Sequence, residues 1–355
     1  MNLHQIIEQH WQYPHPILRL FLSPLSKLFA QIAQHRRAQF LSDKGSLKTQ
    51  KLPIPVVVVG NIHAGGTGKT PITAALVADL QARGIKVGII SRGYGRKSKQ
   101  IHVLHANSTA DEVGDEPLML YRRSHAPTAV AANRHAAGMA LIAQYPDLQM
   151  IIADDGLQHY QLARDVEICV FPTADVGRTD LDVLPNGGLR EPVSRLQDVD
   201  FIVVSNADDD TFSAAQTYFR LPICAYPSEK TLFFSQTHAA AAYRLNQPHD
   251  ILSAGSLKNG ARCVAVAAIA RPQRFFNTLM QMGFILQETH VLPDHAAIDV
   301  STLPHADYVL ITEKDAVKLP ANAPDNIWVV LIQAQISPDL AAEIMQKLGF
   351  QAALS

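Results

Sequence analysis

Ile54-Pro55-Val56-Val57-Val58-Val59-Gly60-Asn61-Ile62-His63-Ala64-Gly65-Gly66-Thr67-Gly68-Lys69-Thr70-Pro71 is the stretch that decides the fold. Ile54 to Val59 is β-branched, apolar and unbroken, the pattern of a strand buried on both faces of a parallel sheet. The run ends at Gly60. From Pro71 to Arg83 the spacing of Ile72, Ala75, Leu76, Ala78 and Leu80 predicts a helix, closed by Gly84. Proline close to a helix start costs little, because the N–H it lacks would have no partner there. Between strand and helix, Gly65, Gly66 and Gly68 let several backbone N–H groups turn inward, beside the positive end of the helix dipole. Such a turn grips phosphate oxygens. Lys69 reaches the outer phosphates of a nucleoside triphosphate, and the Thr70 hydroxyl completes a ligand set around Mg²⁺. The candidate nucleotide-binding segment is His63, Ala64, Gly65, Gly66, Thr67, Gly68, Lys69 and Thr70, with His63 standing where the strict motif has its first glycine.

Further strands are expected at Lys86–Ile90, Thr128–Ala131, Met150–Ala153, Glu167–Phe171 and Phe201–Ser205, alternating with helical stretches. Right-handed βαβ crossovers then build a doubly wound sheet that binds ligands at the carboxyl ends of its strands. Asp154 and Asp155 follow one of those strands and are candidate Mg²⁺ carboxylates, although Asp-Asp-Gly is also turn chemistry. From Tyr218 to Asn259 the pattern shifts to short strand-like pieces, Thr231–Ser235 and Ala241–Leu245, which read as an antiparallel connector. Cys263–Ala268 opens a second α/β unit, with a helix near Arg274–Met282 and strands at Tyr308–Ile311 and Trp328–Ile332. The expected class is α/β: a P-loop NTPase-like α/β/α sandwich with a mostly parallel sheet, joined by a β connector to a smaller C-terminal α/β domain. The expected boundaries are residues 1–40, 41–215, 216–260 and 261–355.

A chain of 355 residues with 18% charged residues and a formal net charge of −1 carries no global basic surface, so a nucleic-acid partner is not expected. Cys169, Cys224 and Cys263 form no Cys-x-x-Cys pair, which argues against a zinc site or a disulfide framework and fits a reducing cytoplasm. Met1 to His15 is polar and aromatic and lacks the order of a secretory signal. Ile17 to Ala33 is greasy but interrupted by Arg19, Pro24 and Lys27, short of the ~20 unbroken apolar residues of a spanning helix. Residues 1–51 hold seven basic side chains against two acidic ones. An apolar, basic helix of this kind either packs on its own domain or lies in the headgroup region of an anionic membrane.

Several phrases converge on one family: Gly60-Asn61-Ile62 with the glycine turn, Ser91-Arg92-Gly93-Tyr94-Gly95, Val113-Gly114-Asp115-Glu116-Pro117, and Asp154-Asp155-Gly156-Leu157-Gln158-His159. Gly187-Gly188-Leu189-Arg190-Glu191-Pro192, Pro293-Asp294-His295 and Thr312-Glu313-Lys314-Asp315 extend the likeness, as does Ser23-Pro24-Leu25-Ser26 near the start. The sequence resembles the tetraacyldisaccharide 4′-kinases of the lipid A pathway. The resemblance implies transfer of the ATP γ-phosphate, with Mg²⁺, to the 4′-hydroxyl of a lipid disaccharide 1-phosphate. It also implies work at the cytoplasmic face of the bacterial inner membrane, peripherally, and so tips the N-terminal helix toward membrane docking; a monomer is expected. By the same resemblance Asp115 is the catalytic acid–base group, with His295 as its partner in a dyad and Lys69 on the phosphates.

Glu116 beside Asp115 is expected to help Thr70, Asp154 and Asp155 hold the metal, since adjacent carboxylates tolerate each other best with a cation between them. Arg92, Tyr94, Arg134, His159 and Arg190 lie at loop positions on the ligand edge and are the substrate-binding candidates. Read without the family, Asp115 equally suits a helix cap, His295 a surface histidine, and Arg134 a surface salt bridge. A nucleotide-driven switch or metal-delivery chaperone is the competing class, because Thr312-Glu313-Lys314-Asp315 resembles a guanine-reading motif. Its lysine is off by one residue, and the chain lacks a Cys/His cluster for a metal cargo.

Overall fold

The computed structural model describes residues 3–41, 47–220, 232–257, 260–269, 271–294, 296, 298–303, 305–320 and 322–350. Two helices come first, α1 (Leu3–Gln12) and α2 (Pro16–Leu41). Then follow β1 (Val56–Gly60), α3 (Lys69–Ala82), β2 (Val87–Ser91), β3 (His102–Val103), α4 (Ala110–Val113), α5 (Asp115–Ser124), β4 (Thr128–Val130), α6 (Arg134–Gln144), β5 (Met150–Asp154), β6 (Val166–Pro172), β7 (Phe201–Ser205) and α7 (Asp209–Phe219). The remainder is β8 (Leu232–Arg244), β9 (Gln247–Leu252), β10 (Cys263–Ala267), α8 (Pro272–Gln281), β11 (Glu288–Val291), β12 (Tyr308–Thr312), α9 (Glu313–Ala316), β13 (Ile327–Ile336) and α10 (Leu340–Lys347).

The valine run behaves as its composition requires. β1 pairs in parallel with β5 on one side and β6 on the other. Val56 and Val58 enter the core on one face of the sheet, Val57 and Val59 the core on the other. A side-chain period of two with both faces covered leaves no place for a polar residue. Helix α3 lays Ile72, Leu76, Val77 and Leu80 into the second of these cores, and it begins at Lys69 rather than at Pro71. β10 repeats the arrangement in the C-terminal half, with Cys263, Ala265 and Ala267 facing one layer and Val264 and Val266 the other.

All the strands share one sheet, in the order β11-β10-β12-β13-β8-β7-β6-β1-β5-β2-β4-β3, with β9 attached to β8. The pairings are parallel except at the β3 edge and where β8 meets β9 and β13. The two short pieces expected in the connector are one 13-residue strand, β8, because Gln236 to Ala239 continues the ladder with β13 and only Ala240 is passed over at a bulge. β8 runs parallel to β7, antiparallel to β13, and forms a hairpin with β9. The C-terminal α10 returns to the first half, where Leu340, Ile344 and Met345 pack with the α3 residues. Because β1, β2, β4, β5, β6 and β7 are parallel, their carboxyl ends deliver Gly60, Ser91, Val130, Asp154, Pro172 and Ser205 to one edge of the sheet.

Candidate functional site

The glycine turn leaves β1 at that edge and enters α3 through Gly68, whose φ of 81° caps the helix, while Gly65 sits at 115°. Both angles lie in the left-handed region that glycine alone occupies without strain. Lys69 is the first helical residue, and its Nζ stands 3.3 Å from Asp155 Oδ1. Asn61 secures the turn from within: with its amide oriented to satisfy both neighbours, the oxygen accepts from Thr67 Oγ1 at 2.7 Å and Lys69 Nζ at 3.1 Å. Its nitrogen then donates to the His63 carbonyl at 3.1 Å. The His63 imidazole turns away from the glycines, with Nε2 3.0 Å from Asp175 Oδ2 and the ring edge-on to Phe171.

β5 ends on two carboxylates that the backbone treats differently. Asp154 is the last strand residue and is buried, with Thr73 Oγ1 of α3 donating to its Oδ1 at 3.2 Å. Burial, followed by the negative charges of Glu116 and Asp155, pushes its pKa up to about 7 against the pull of Lys69 and Arg134. Asp155 takes φ 47°, which swings its side chain out of the strand register toward Lys69 and toward Arg190 at 3.5 Å. Burial alone would raise it, but Lys69, Arg190 and Arg134 outweigh that and hold it below the usual carboxylate range.

Among the described residues no three His, Cys, Asp or Glu side chains converge as a ready-made metal centre. Mg²⁺ takes one or two carboxylates and completes its octahedron with phosphate oxygens and water. Thr70 stands on the first turn of α3, Asp154 on the neighbouring strand end and Glu116 on the first turn of α5. Asp154 and Glu116 are close enough for the charge of one to raise the other. The donor set therefore fits the ion.

α5 starts at Asp115, directly after Gly114 at φ 91°. Gly114 is the capping residue, so Asp115 is not a cap, and its Oδ2 lies 3.7 Å from Lys318 Nζ. Lys318 also pairs with the buried Asp315 at 2.9 Å, and Lys314 lies 3.6 Å from Glu116 and 3.2 Å from Asp294. Thr312 caps α9 by accepting from Asp315 N, and its hydroxyl donates to Asp315 Oδ2 at 2.7 Å. The Thr312–Asp315 phrase is thus a short helix start that brings two lysines from the C-terminal half against the acidic first turn of α5. Sequence reasoning gave those lysines no role. Their four-residue spacing was visible, but the α5 carboxylates they meet, Glu116 and Asp115, are remote in sequence. His295 lies outside the described residues.

The remaining candidates gather around the loop after β5. Arg134, the first residue of α6, is buried and donates through one guanidinium nitrogen to the Asp155 carbonyl at 2.8 Å. Burial lowers its pKa to about 10. It is not the surface salt bridge that its sequence position also allowed. His159 is held down to about 4 by burial and by the charges of Arg134, Arg164, Arg36 and Arg92, and its Nε2 is buried without a hydrogen-bond partner. Arg92 and Tyr94 are exposed after β2. Glu191 was missed as a site residue: it accepts from Gln158 at 2.9 Å and from the Tyr160 hydroxyl, fixing the loop between Asp155 and His159 beside Arg190.

A glycine turn between a buried strand and a helix, with Lys69 beside Asp155 and with Asp154 and Glu116 within electrostatic reach of each other, belongs to the P-loop phosphotransferases. The profile described as "Tetraacyldisaccharide-1-P 4'-kinase" matches residues 18–349. A tetraacyldisaccharide 4'-kinase of Neisseria meningitidis is 57% identical over 348 residues, covering 98% of this chain and 96% of that one. One from Chromobacterium violaceum is 41% identical, covering 97% and 98%. The crystal structure of LpxK from Aquifex aeolicus in complex with ATP superposes with a TM-score of 0.75 at 27% identity, covering 93% of this chain and 99% of its own. The chain belongs to the tetraacyldisaccharide 4'-kinase family, the kinases of lipid A biosynthesis.

Proposed function

We propose that the chain transfers the γ-phosphate of ATP to the 4′-hydroxyl of a tetraacylated glucosamine disaccharide 1-phosphate, forming lipid IVA. The observation that carries this is the junction of Lys69 with the Asp154–Asp155 strand end inside a chain that matches the family along its length. The amides of His63 to Thr70 and the Lys69 ammonium bind the outer phosphates, and Arg190 adds charge beside Asp155. Thr70 and Asp154, helped by Glu116 and Asp155, would hold Mg²⁺, which supplies neutralisation of the phosphate charge. Asp115 takes the proton of the acceptor hydroxyl, steadied by Lys318 and by His295. Arg92, Tyr94, Arg134 and His159 receive the sugar and its 1-phosphate; the electropositive surroundings of His159 are what an anion would relieve.

Four acyl chains anchor the acceptor in a bilayer, so the enzyme must reach the membrane surface. No helix among the described residues is long and apolar enough to cross a membrane. On α2, Ser26, Phe29 and Ala30 face the protein, whereas Leu20, Phe21, Leu25, Leu28 and Ile32 are all more than half exposed. Arg19 and Lys27 stand among them. We assign residues 1–40 to docking at the cytoplasmic face of the inner membrane. Residues 41–215 bind the nucleotide, 216–260 connect, and 261–355 bring in the lysines, in a monomer.

The test is incubation with Mg·ATP and a lipid disaccharide 1-phosphate in mixed micelles. A bisphosphorylated product is expected with wild-type protein and not with Lys69→Ala or Asp115→Ala. Absence of product with folded wild-type protein would overturn the reading, and strict use of GTP would favour a switch.

A further inference from the structure

The N-terminal helices do not end at the surface they cover. They grip one loop, residues 182–190, and that loop grips the phosphate turn. His10 is buried in α1, and its Nδ1 accepts from the His15 amide at 3.0 Å, so Nε2 carries the proton and donates to Asn186 Oδ1 at 3.1 Å. Trp11 Nε1 donates to the Pro185 carbonyl at 2.9 Å. From α2, the buried Ser26 donates to the Val183 carbonyl at 2.9 Å and accepts from the Asn186 amide at 3.0 Å. Asn186 is itself buried and donates through its side chain to Asp182 at 2.7 Å. The loop closes on itself so tightly that a Cβ at Gly187 would collide with the Asp182 carbonyl.

Its other side meets the nucleotide segment. Ala64 N donates to the Gly188 carbonyl at 2.7 Å, Arg190 N donates to the Ile62 carbonyl at 2.6 Å, and Leu189 forms an antiparallel bridge with His63. A second route arrives through side chains: Arg178 donates to the Trp11 carbonyl at 3.2 Å and pairs with Asp175, whose Oδ2 lies 3.0 Å from His63 Nε2. Both routes converge on His63 and Ala64, at the mouth of the turn.

We propose that loop 182–190 is a strut and Asn186 a positioning residue, through which the seating of α1 and α2 sets how well the phosphate turn is formed for nucleotide. Asn186 touches no reacting group. It joins α1, α2 and the strut by three hydrogen bonds at one buried point, and its truncation removes the partner of His10 Nε2 and the donor to Asp182 Oδ2, while Val183 N still donates to Asp182 Oδ1. Docking of α2 on a lipid surface, which rests on the membrane reading above, then tightens nucleotide binding before any acceptor is bound.

The experiment measures the affinity of a fluorescent Mg·ATP analogue, with KM and kcat alongside, for wild-type, Asn186→Ala and Trp11→Phe proteins, each checked by circular dichroism and by sedimentation with phosphatidylglycerol vesicles lacking acceptor. Losing one to two buried hydrogen bonds should weaken nucleotide binding by about tenfold in Asn186→Ala and by about threefold in Trp11→Phe. The rise should fall on KM for ATP, with kcat and vesicle sedimentation near wild type. Vesicles should tighten binding by wild type and leave Asn186→Ala unchanged. If Asn186→Ala does not fold, Trp11→Phe and Ser26→Ala decide the same question. Variants that bind nucleotide within twofold of wild type would overturn the strut, as would wild-type protein that sediments with vesicles and shows no gain in affinity. Wild-type protein that stays in the supernatant would overturn the docking reading alone, and the affinities in solution would then decide the strut.

Discussion

Asp154 and His159 titrate in overlapping windows with opposite consequences. Asp154 is raised to about 7, so between about 4 and 7 the folded metal-free protein holds a proton that the unfolded chain has released. Its contribution to stability is therefore present at low pH and is lost as pH rises through that window, by on the order of a few kcal/mol. His159 is depressed to about 4, so its neutral folded form costs stability as pH falls from the unfolded value toward 4. Urea midpoints measured against pH in EDTA should show Asp154→Asn losing the decline toward neutral pH and His159→Gln losing the decline toward acid. An Asp154→Asn profile parallel to wild type would contradict the buried-carboxyl assignment. Lys69→Ala should lower kcat/KM by about 10³ or more, the scale of removing one aligned cation or donor from a charged transition state. Asp154 and Lys69 were legible because one closes a strand and the other holds a fixed place in the glycine turn, and His159 because it ends the phrase that Asp154 begins. Asn61 and Thr73 were not, since a hydrogen bond across the site leaves no mark in spacing.

At the scale of elements, α2 and α9 carry the predictions. The sequence of α2 fits either packing or docking, because its apolar residues surround the helix; only the neighbours reveal that Ser26, Phe29 and Ala30 face inward. Each exposed large side chain should contribute about 1.5–3 kcal/mol when buried in lipid. The double variant Phe21→Glu, Leu25→Glu should therefore shift most of the protein from vesicle pellet to supernatant while binding nucleotide in solution as before. Full retention in the pellet would contradict docking through this face. The joint between α9 and α5 makes a different demand. Lys318→Ala should reduce kcat by about tenfold or more, since Asp115 and Asp315 both lose their cation, whereas Lys318→Arg should recover part of it. Equal kcat in Lys318→Ala and wild type would remove the lysine from the mechanism. The grip of α1 on the strut was not foreseen within the helical region expected over residues 1–40: its polar and aromatic sequence hides two side chains, His10 and Trp11, that point at a loop more than 170 residues away.

For the whole molecule, the class of fold was readable from the alternation of β-branched runs with helical spacing, and the structure bears it out. The union of the strands into one sheet was not readable, because strand order across β8 and β13 depends on pairings that local composition does not encode. Unfolding should follow from that union. The chain has two tryptophans, Trp11 beside the strut and Trp328 in the C-terminal half. In Trp328→Phe and Trp11→Phe proteins, fluorescence and far-UV circular dichroism of each variant should give coincident urea transitions, and separated midpoints would show that the halves unfold independently. β8 has a further consequence. Its first residues belong to the β7 ladder, and its length from Ser235 to Arg244 pairs with β13, where the register slips between Leu331 and Ile332. Bulges are where a ribbon twists most readily. The halves thus share a strand rather than meeting at a flexible link, and the bulged β8–β13 ribbon ties the half that carries Lys314 and Lys318 to the half that carries Asp115.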